Sequence, residues 1–239
     1  MNEIFIGIDL AWGEKNLSGF CALQKCADSE KLKIIEIKLL KYTEEILRLI
    51  QNYKDDSVYV GIDAPLVIPN DSGNRDIEKN FNKDFCKYKI SMLPVNRKIM
   101  SKYSQNIRSE ELYKLLAMNG FVRDYESDKT VFEVYPHSTI AVCFNNMKIL
   151  PYKRKKGRDT EFIKRELLTY KNYLLSVIGT HPILEIDVDE LKGQRLKDYE
   201  DMLDSITCAY TMFYCKYNRC KQYSVDGIDT FITPIEKEQ

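Results

Sequence analysis

Two copies of the tripeptide Gly-Ile-Asp, Gly7-Ile8-Asp9 and Gly61-Ile62-Asp63, each close a short apolar run. Side chains alternate across a strand, so Ile4, Ile6, Ile8 and Leu10 share one face, opposite Phe5, Gly7 and Asp9. In the second run Val58, Val60 and Ile62 oppose Tyr59, Gly61 and Asp63. Each aspartate therefore stands one pleat beyond a glycine, on the same side of its strand. As neighbours in a parallel sheet, the two strands would lie about 4.8 Å apart. Carboxylates that close repel unless a cation or a proton lies between them. The pair therefore points to a divalent metal site. A single aspartate after a strand is often only a helix cap or a turn former; the repeated facing is what favours a site.

The types of ligand available narrow the metal. The chain has two histidines, His137 and His181, and seven cysteines with no Cys-x-x-Cys pair. Cysteine-bound zinc and a histidine-rich centre are both disfavoured. An oxygen-ligand site remains, suited to Mg2+ or Mn2+. The scattered cysteines read as reduced buried thiols of a cytosolic protein. With 36 basic and 36 acidic residues, the chain carries no bulk charge to attract nucleic acid. A local basic patch stays open. No signal peptide and no membrane-length apolar run is evident, so a cytoplasmic location is expected.

The 239 residues suit one domain, 1–239, with a helical or irregular insertion over about 64–129. Strands are expected at residues 3–10, 18–25, 31–40, 57–63 and 130–135, the first three as an antiparallel meander. A helix follows the third strand. Pro65 and Pro69 break regular structure after the fourth. Helices are expected at about 75–85, 107–118, 138–144, 160–178 and 199–217. Asp226-Gly227, between β-like runs at 222–225 and 228–232, signals a C-terminal hairpin. The dense basic run Lys153 to Arg158 reads as a solvated loop.

The last helix carries Asp201 and Asp204, three apart and so on one helical face, followed by a largely apolar stretch. A helix start also favours acids through its dipole, which is the plainer reading of Asp201. Glu133 shares its strand face with Val131 and Tyr135, so an ionised carboxylate there needs a partner. His137, a lone histidine, reads most simply as structural. Aromatics and cations at 81–103, including Phe81, Phe85, Tyr88, Tyr103 and Arg97, suit either a strand-tracking groove or core packing with a solvated face.

Acids on the first strand, the fourth strand and the last helix give an arrangement that resembles the ribonuclease H-like fold, in particular its Holliday-junction resolvases. Local sequence is closer still to a domain-of-unknown-function family described as predicted ribonuclease H-like nucleases. The matching stretches are Gly7-Ile8-Asp9-Leu10-Ala11-Trp12, Ile62-Asp63-Ala64-Pro65-Leu66, Glu133-Val134-Tyr135-Pro136-His137 and Leu203-Asp204-Ser205-Ile206-Thr207-Cys208-Ala209-Tyr210. Arg75-Asp76 also resembles a family element.

The resemblance implies an α/β fold: a mixed five-stranded sheet flanked by helices, with a long insertion after the fourth strand. It implies a nuclease working on DNA or RNA by two-metal phosphodiester hydrolysis. Asp9, Asp63, Asp201 and Asp204 would hold the ions, and Asp9, Asp63, Asp204 and Glu133 would form the catalytic set. Arg75, Arg97 and His137 are the substrate-binding candidates. The two glycines would leave the sheet bare for the last helix or a substrate to approach. Two other readings compete: an actin-like ATP-binding phosphotransferase, disfavoured by only 10 glycines and by Ala-Pro-Leu after Asp63, and a non-catalytic binding module. A Rossmann site is disfavoured because no G-x-G-x-x-G follows the first strand. Oligomeric state is left open.

Overall fold

The computed structural model describes residues 2–13, 15–26, 29–104, 106–225 and 229–236. One mixed sheet of seven strands runs through the molecule in the order β3-β2-β1-β4-β5-β7-β6. The strands are β1 (Glu3–Asp9), β2 (Ser18–Lys25), β3 (Leu32–Leu40), β4 (Ser57–Ile62), β5 (Lys129–Glu133), β6 (Cys220–Val225) and β7 (Asp229–Pro234). The first three form the expected antiparallel meander, and β4 and β5 lie parallel to β1.

The expected count of five strands is too low. The C-terminal hairpin does not stand apart: β7 joins β5 through the Glu133–Phe231 bridge, and β6 pairs antiparallel with β7. A hairpin pattern identifies two paired strands but not the edge on which they dock. The Asp226-Gly227 turn lies outside the described residues.

Eight helices are seen among the described residues. They are α1 (Thr43–Gln51), α2 (Asp76–Phe85), α3 (Arg97–Met100), α4 (Arg108–Met118), α5 (Pro136–Cys143), α6 (Thr160–Val177), α7 (Pro182–Glu185) and α8 (Gln194–Tyr217). The alternation in β1 and β4 divides two cores. Ile4, Ile6, Ile8, Val58, Val60 and Ile62 pack on the face covered by α1 and α4. Phe5 and Tyr59 face the other side, where α6 and α8 contribute Leu167, Tyr170, Leu203 and Ile206. A third, smaller core joins Phe81 and Phe85 of α2 to Ala141, Tyr223 and Phe231. Phe81 and Phe85 are therefore buried and have no face free for a base.

The helix α8 starts at Gln194, five residues before the expected Tyr199. Asp201 and Asp204 thus lie well inside it, beyond the first turn where a helix dipole favours acids. It sits very close to the sheet. A Cβ on Gly7 would lie 2.0 Å from the Ser205 carbonyl oxygen, one on Gly19 2.3 Å from that of Asp201, and one on Gly61 2.8 Å from that of Cys208. Only glycine admits the helix backbone at these three points.

The cysteines depart from the all-reduced expectation. Cys215, in the last turn of α8, and Cys220, at the start of β6, form a disulfide, while Cys21 and Cys208 are free and buried. Spacing alone did not mark the pair, because only the fold brings β6 back against the helix end. Among the described residues no helix is long and apolar enough to cross a membrane.

Candidate functional site

Asp9 ends β1, and Asp63 follows the last residue of β4. The strands are paired in parallel register, Gly7 opposite Gly61 and Ile8 opposite Ile62. The Asp63 N–H donates to the Ile8 carbonyl at 2.8 Å, so the ladder continues to the aspartates themselves. The turn after Asp9 is braced from below. Arg108, buried at the start of α4, donates to Ala11 O at 3.3 Å and to Ser18 Oγ at 3.0 Å. From above, α8 rests on the glycines and brings Asp201 and Asp204 to the same sheet end.

Asp204 is fully buried and closely held. Tyr152 donates its hydroxyl to Oδ1 at 2.6 Å, and Tyr170 does so at 3.1 Å. The other oxygen, Oδ2, meets the Lys153 ammonium in an ion pair at 2.9 Å. Burial pushes the Asp204 carboxyl up, but Lys153 and Tyr152 outweigh it and hold the group below the usual carboxylate range. Asp9 behaves oppositely. Burial raises it strongly, Lys153 opposes, and Asp204, Asp63 and Asp201 add repulsion. Asp63 is raised to about 7, first by burial, with Lys153 opposing and Asp204 and Glu133 adding to the shift. Among the described residues neither Asp9 nor Asp63 forms an ion pair. Asp201 also shifts up by burial, although Lys197 pairs with it at 2.6 Å and with Glu200 at 2.7 Å.

The other acid expected here, Glu133, lines the smaller cavity with Asp9 and Asp63 but is paired differently. Register puts Val60 opposite Val131 and Ile62 opposite Glu133. Glu133 therefore shares the face of Ile62, yet it stands close enough to Asp63 to add to that group's upward shift. It is gripped by Arg75, at 2.5 Å and 3.0 Å, and accepts the Leu66 N–H at 3.2 Å. Arg75 is itself buried. It also binds Glu78 at 2.5 Å and 2.8 Å and donates to Val67 O at 3.0 Å. The resulting Glu78–Arg75–Glu133 cluster fastens the start of the insertion to the end of β5. Arg75 and Glu133 were expected at the site; both line the smaller cavity, where their charges are paired with each other.

His137 lies in the first turn of α5, its ring 4.9 Å from Tyr152. Burial, with Lys153 beside it, lowers it to about 3, so the ring is neutral at physiological pH. Arg97 pairs with Glu110 at 3.0 Å and lines a separate groove of about 710 Å³ with Glu111 and Lys114.

Two cavities meet at Asp9, Trp12 and Lys153. One, of about 380 Å³, reaches Asp63, Glu133 and His137. The other, of about 600 Å³, is walled by Lys15, Lys102 and Lys197, with Trp12 and Tyr103 edge to face at 5.3 Å. An acidic floor thus opens into a basic, partly aromatic groove. Lys153 was hidden within a run that otherwise behaves as expected, with Arg154, Lys155 and Lys156 exposed. The Lys197–Glu200–Asp201 spacing was legible as helical i,i+3 and i,i+4 pairing, but only for a helix that begins before Tyr199. Among the described residues no group of three or more His, Cys, Asp or Glu side chains is placed to hold a metal ion.

No curated protein and no solved structure matches the chain. A model of the family described as "Protein of unknown function (DUF429)" matches residues 7–223, a span that takes in Asp9, Asp63, Glu133 and Asp204, and the chain belongs to that family.

Proposed function

We propose that this protein is a metal-dependent nuclease of ribonuclease H-like fold that hydrolyses phosphodiester bonds. The observation that carries this reading is the meeting of Asp9, Asp63 and Asp204 at one end of two adjacent parallel strands, beneath α8. The strand order β3-β2-β1-β4-β5, antiparallel and then parallel, supports the fold assignment. The donor chemistry fits a hard divalent cation such as Mg2+ or Mn2+. The donors are all carboxylate oxygens, Asp9 and Asp63 lack ion-pair partners among the described residues, and Asp204 Oδ2 faces a cation already, the Lys153 ammonium. Asp9, Asp63 and Asp204 would hold the metal, with Asp201 beside them, once their side chains turn toward it, since as placed they form no metal-holding group. Bound there, such ions supply an activated water and stabilise the leaving oxygen.

The rest of the work falls to the chain. The lysines of the larger groove attract an anionic backbone, and Trp12 and Tyr103 offer ring surface to a base. The Arg75–Glu133 pair holds the 64–75 segment in position along the smaller cavity. Tyr152 and Tyr170 fix the Asp204 rotamer.

The test uses labelled single-stranded and duplex DNA and RNA with Mg2+ or Mn2+. Wild type should cleave at least one of them. Asp9→Asn should abolish cleavage while keeping the circular dichroism and cooperative melting of wild type. Cleavage by that variant at the wild-type rate overturns the proposal. A wild type that neither cleaves nor shows a metal-induced melting shift favours a non-catalytic binding module instead.

A further inference from the structure

The basic run after Tyr152 has one member that turns inward. Tyr152 is fully buried, its hydroxyl on Asp204 and its ring 4.7 Å from Tyr170. Arg158 donates to the Lys153 carbonyl at 2.8 Å, which ties down the loop backbone from the other side. The Lys153 side chain is thereby aimed at the carboxylates. Its ammonium reaches Asp204 Oδ2, yet the side chain remains 35% exposed and lines both cavities. A lysine head on a flexible four-carbon stem at such a boundary can point inward or outward without moving the backbone. Inward, it pairs with Asp204 Oδ2 and lies near enough to Asp9 and Asp63 for its charge to oppose their upward shifts.

We propose that Lys153 is the built-in counter-ion of this site: its ammonium stands in for a divalent cation among the three aspartates and yields that place when the ion binds. Displaced, the ammonium would lie in the groove that leads to Lys15 and Lys102, where an anionic phosphoester would meet it. This rests on the metal-dependent reading above. It makes Lys153 a positioning residue that competes with the metal and keeps the acids together without it.

The test is Mn2+ binding to the full chain, by titration calorimetry and by paramagnetic resonance of free Mn2+, with melting curves at matched pH. Removing a competing charge should tighten binding, so Lys153→Met is expected to bind Mn2+ at least about tenfold more tightly than wild type. It should also melt lower without metal and gain more on adding Mn2+. Lys153→Arg, which keeps the charge, should bind no more tightly than wild type. Should Lys153→Met fail to fold, Lys153→Gln, which keeps a donor for Asp204 without the charge, carries the same expectation. If wild type binds Mn2+ and the uncharged variant binds equally or more weakly, the counter-ion role is overturned and the metal reading stands. If neither binds, both fall.

Discussion

Asp63 and Asp204 share one cluster yet shift in opposite directions, and the difference lies in their partners. Asp204 has two tyrosine hydroxyls and an ammonium, whereas Asp63 has burial and the repulsion of Asp204 and Glu133, offset only by more distant lysines. The folded-state pKa of Asp63, about 7, lies above its ordinary 3.8, so folding favours the protonated acid. The contribution of this group to stability is present below about pH 4 and is lost as pH rises through 7. Asp63→Asn should therefore stabilise the metal-free protein at pH 8 by about 1–2 kcal/mol, read as a higher melting temperature, once screening at this partly open site is allowed for. It should also flatten the decline between pH 4 and 7. A variant that melts lower than wild type at pH 8 contradicts this account. Asp9, Asp63 and Asp204 could be read from the chain because each sits at a defined point of a periodic pattern. Lys153 could not, because nothing in a run of six basic and glycine residues marks the one that turns inward.

Among the elements, α8 governs the site. It can approach β1, β2 and β4 only because Gly7, Gly19 and Gly61 carry no side chain beneath it. Gly7→Ala is the sharpest probe. Its Cβ would overlap the helix backbone near Ser205 and Ala209, where no rotamer change can relieve the clash. The helix would have to lift, carrying Asp204 away from Asp9 and Asp63. The expected cost is at least about 3 kcal/mol, read by denaturant unfolding, together with loss of Mn2+ binding. Near-wild-type stability and binding would mean that the helix has slack. The bareness of the sheet at the two Gly-Ile-Asp copies was legible; Gly19, in an ordinary antiparallel strand, was not, because its role depends on where a helix almost two hundred residues later crosses it.

At the scale of the whole molecule, the third core links parts far apart in the chain. Phe231 in the hairpin packs edge to face on Phe81 of the insertion at 5.5 Å, while β7 bridges to Glu133 at the end of β5. Arg75 then runs from that same Glu133 back to the head of α2. Hairpin and insertion should therefore loosen together. Phe231→Ala should cost about 3–5 kcal/mol. In limited proteolysis with mass mapping, new cuts should appear both in 72–95 and in 220–236. Cuts confined to the hairpin would show the two to be independent.

Local pattern alone was enough to specify the strands, the long helices, the facing of the two aspartates and the arrival of a third on the last helix. These follow from periodicities of two and 3.6, which any window of the chain displays. Seven strands in one sheet in place of five, the Cys215–Cys220 bond and the burial of Arg75 came out only with the folded chain. The division of charge did too: Glu133 to Arg75, Asp201 to Lys197, Asp204 to Lys153, with Asp9 and Asp63 left outside any ion pair among the described residues. Electrostatic pairing depends on distance and burial between segments remote in sequence, and a charged residue looks the same in a sequence whether it faces water or a carboxylate.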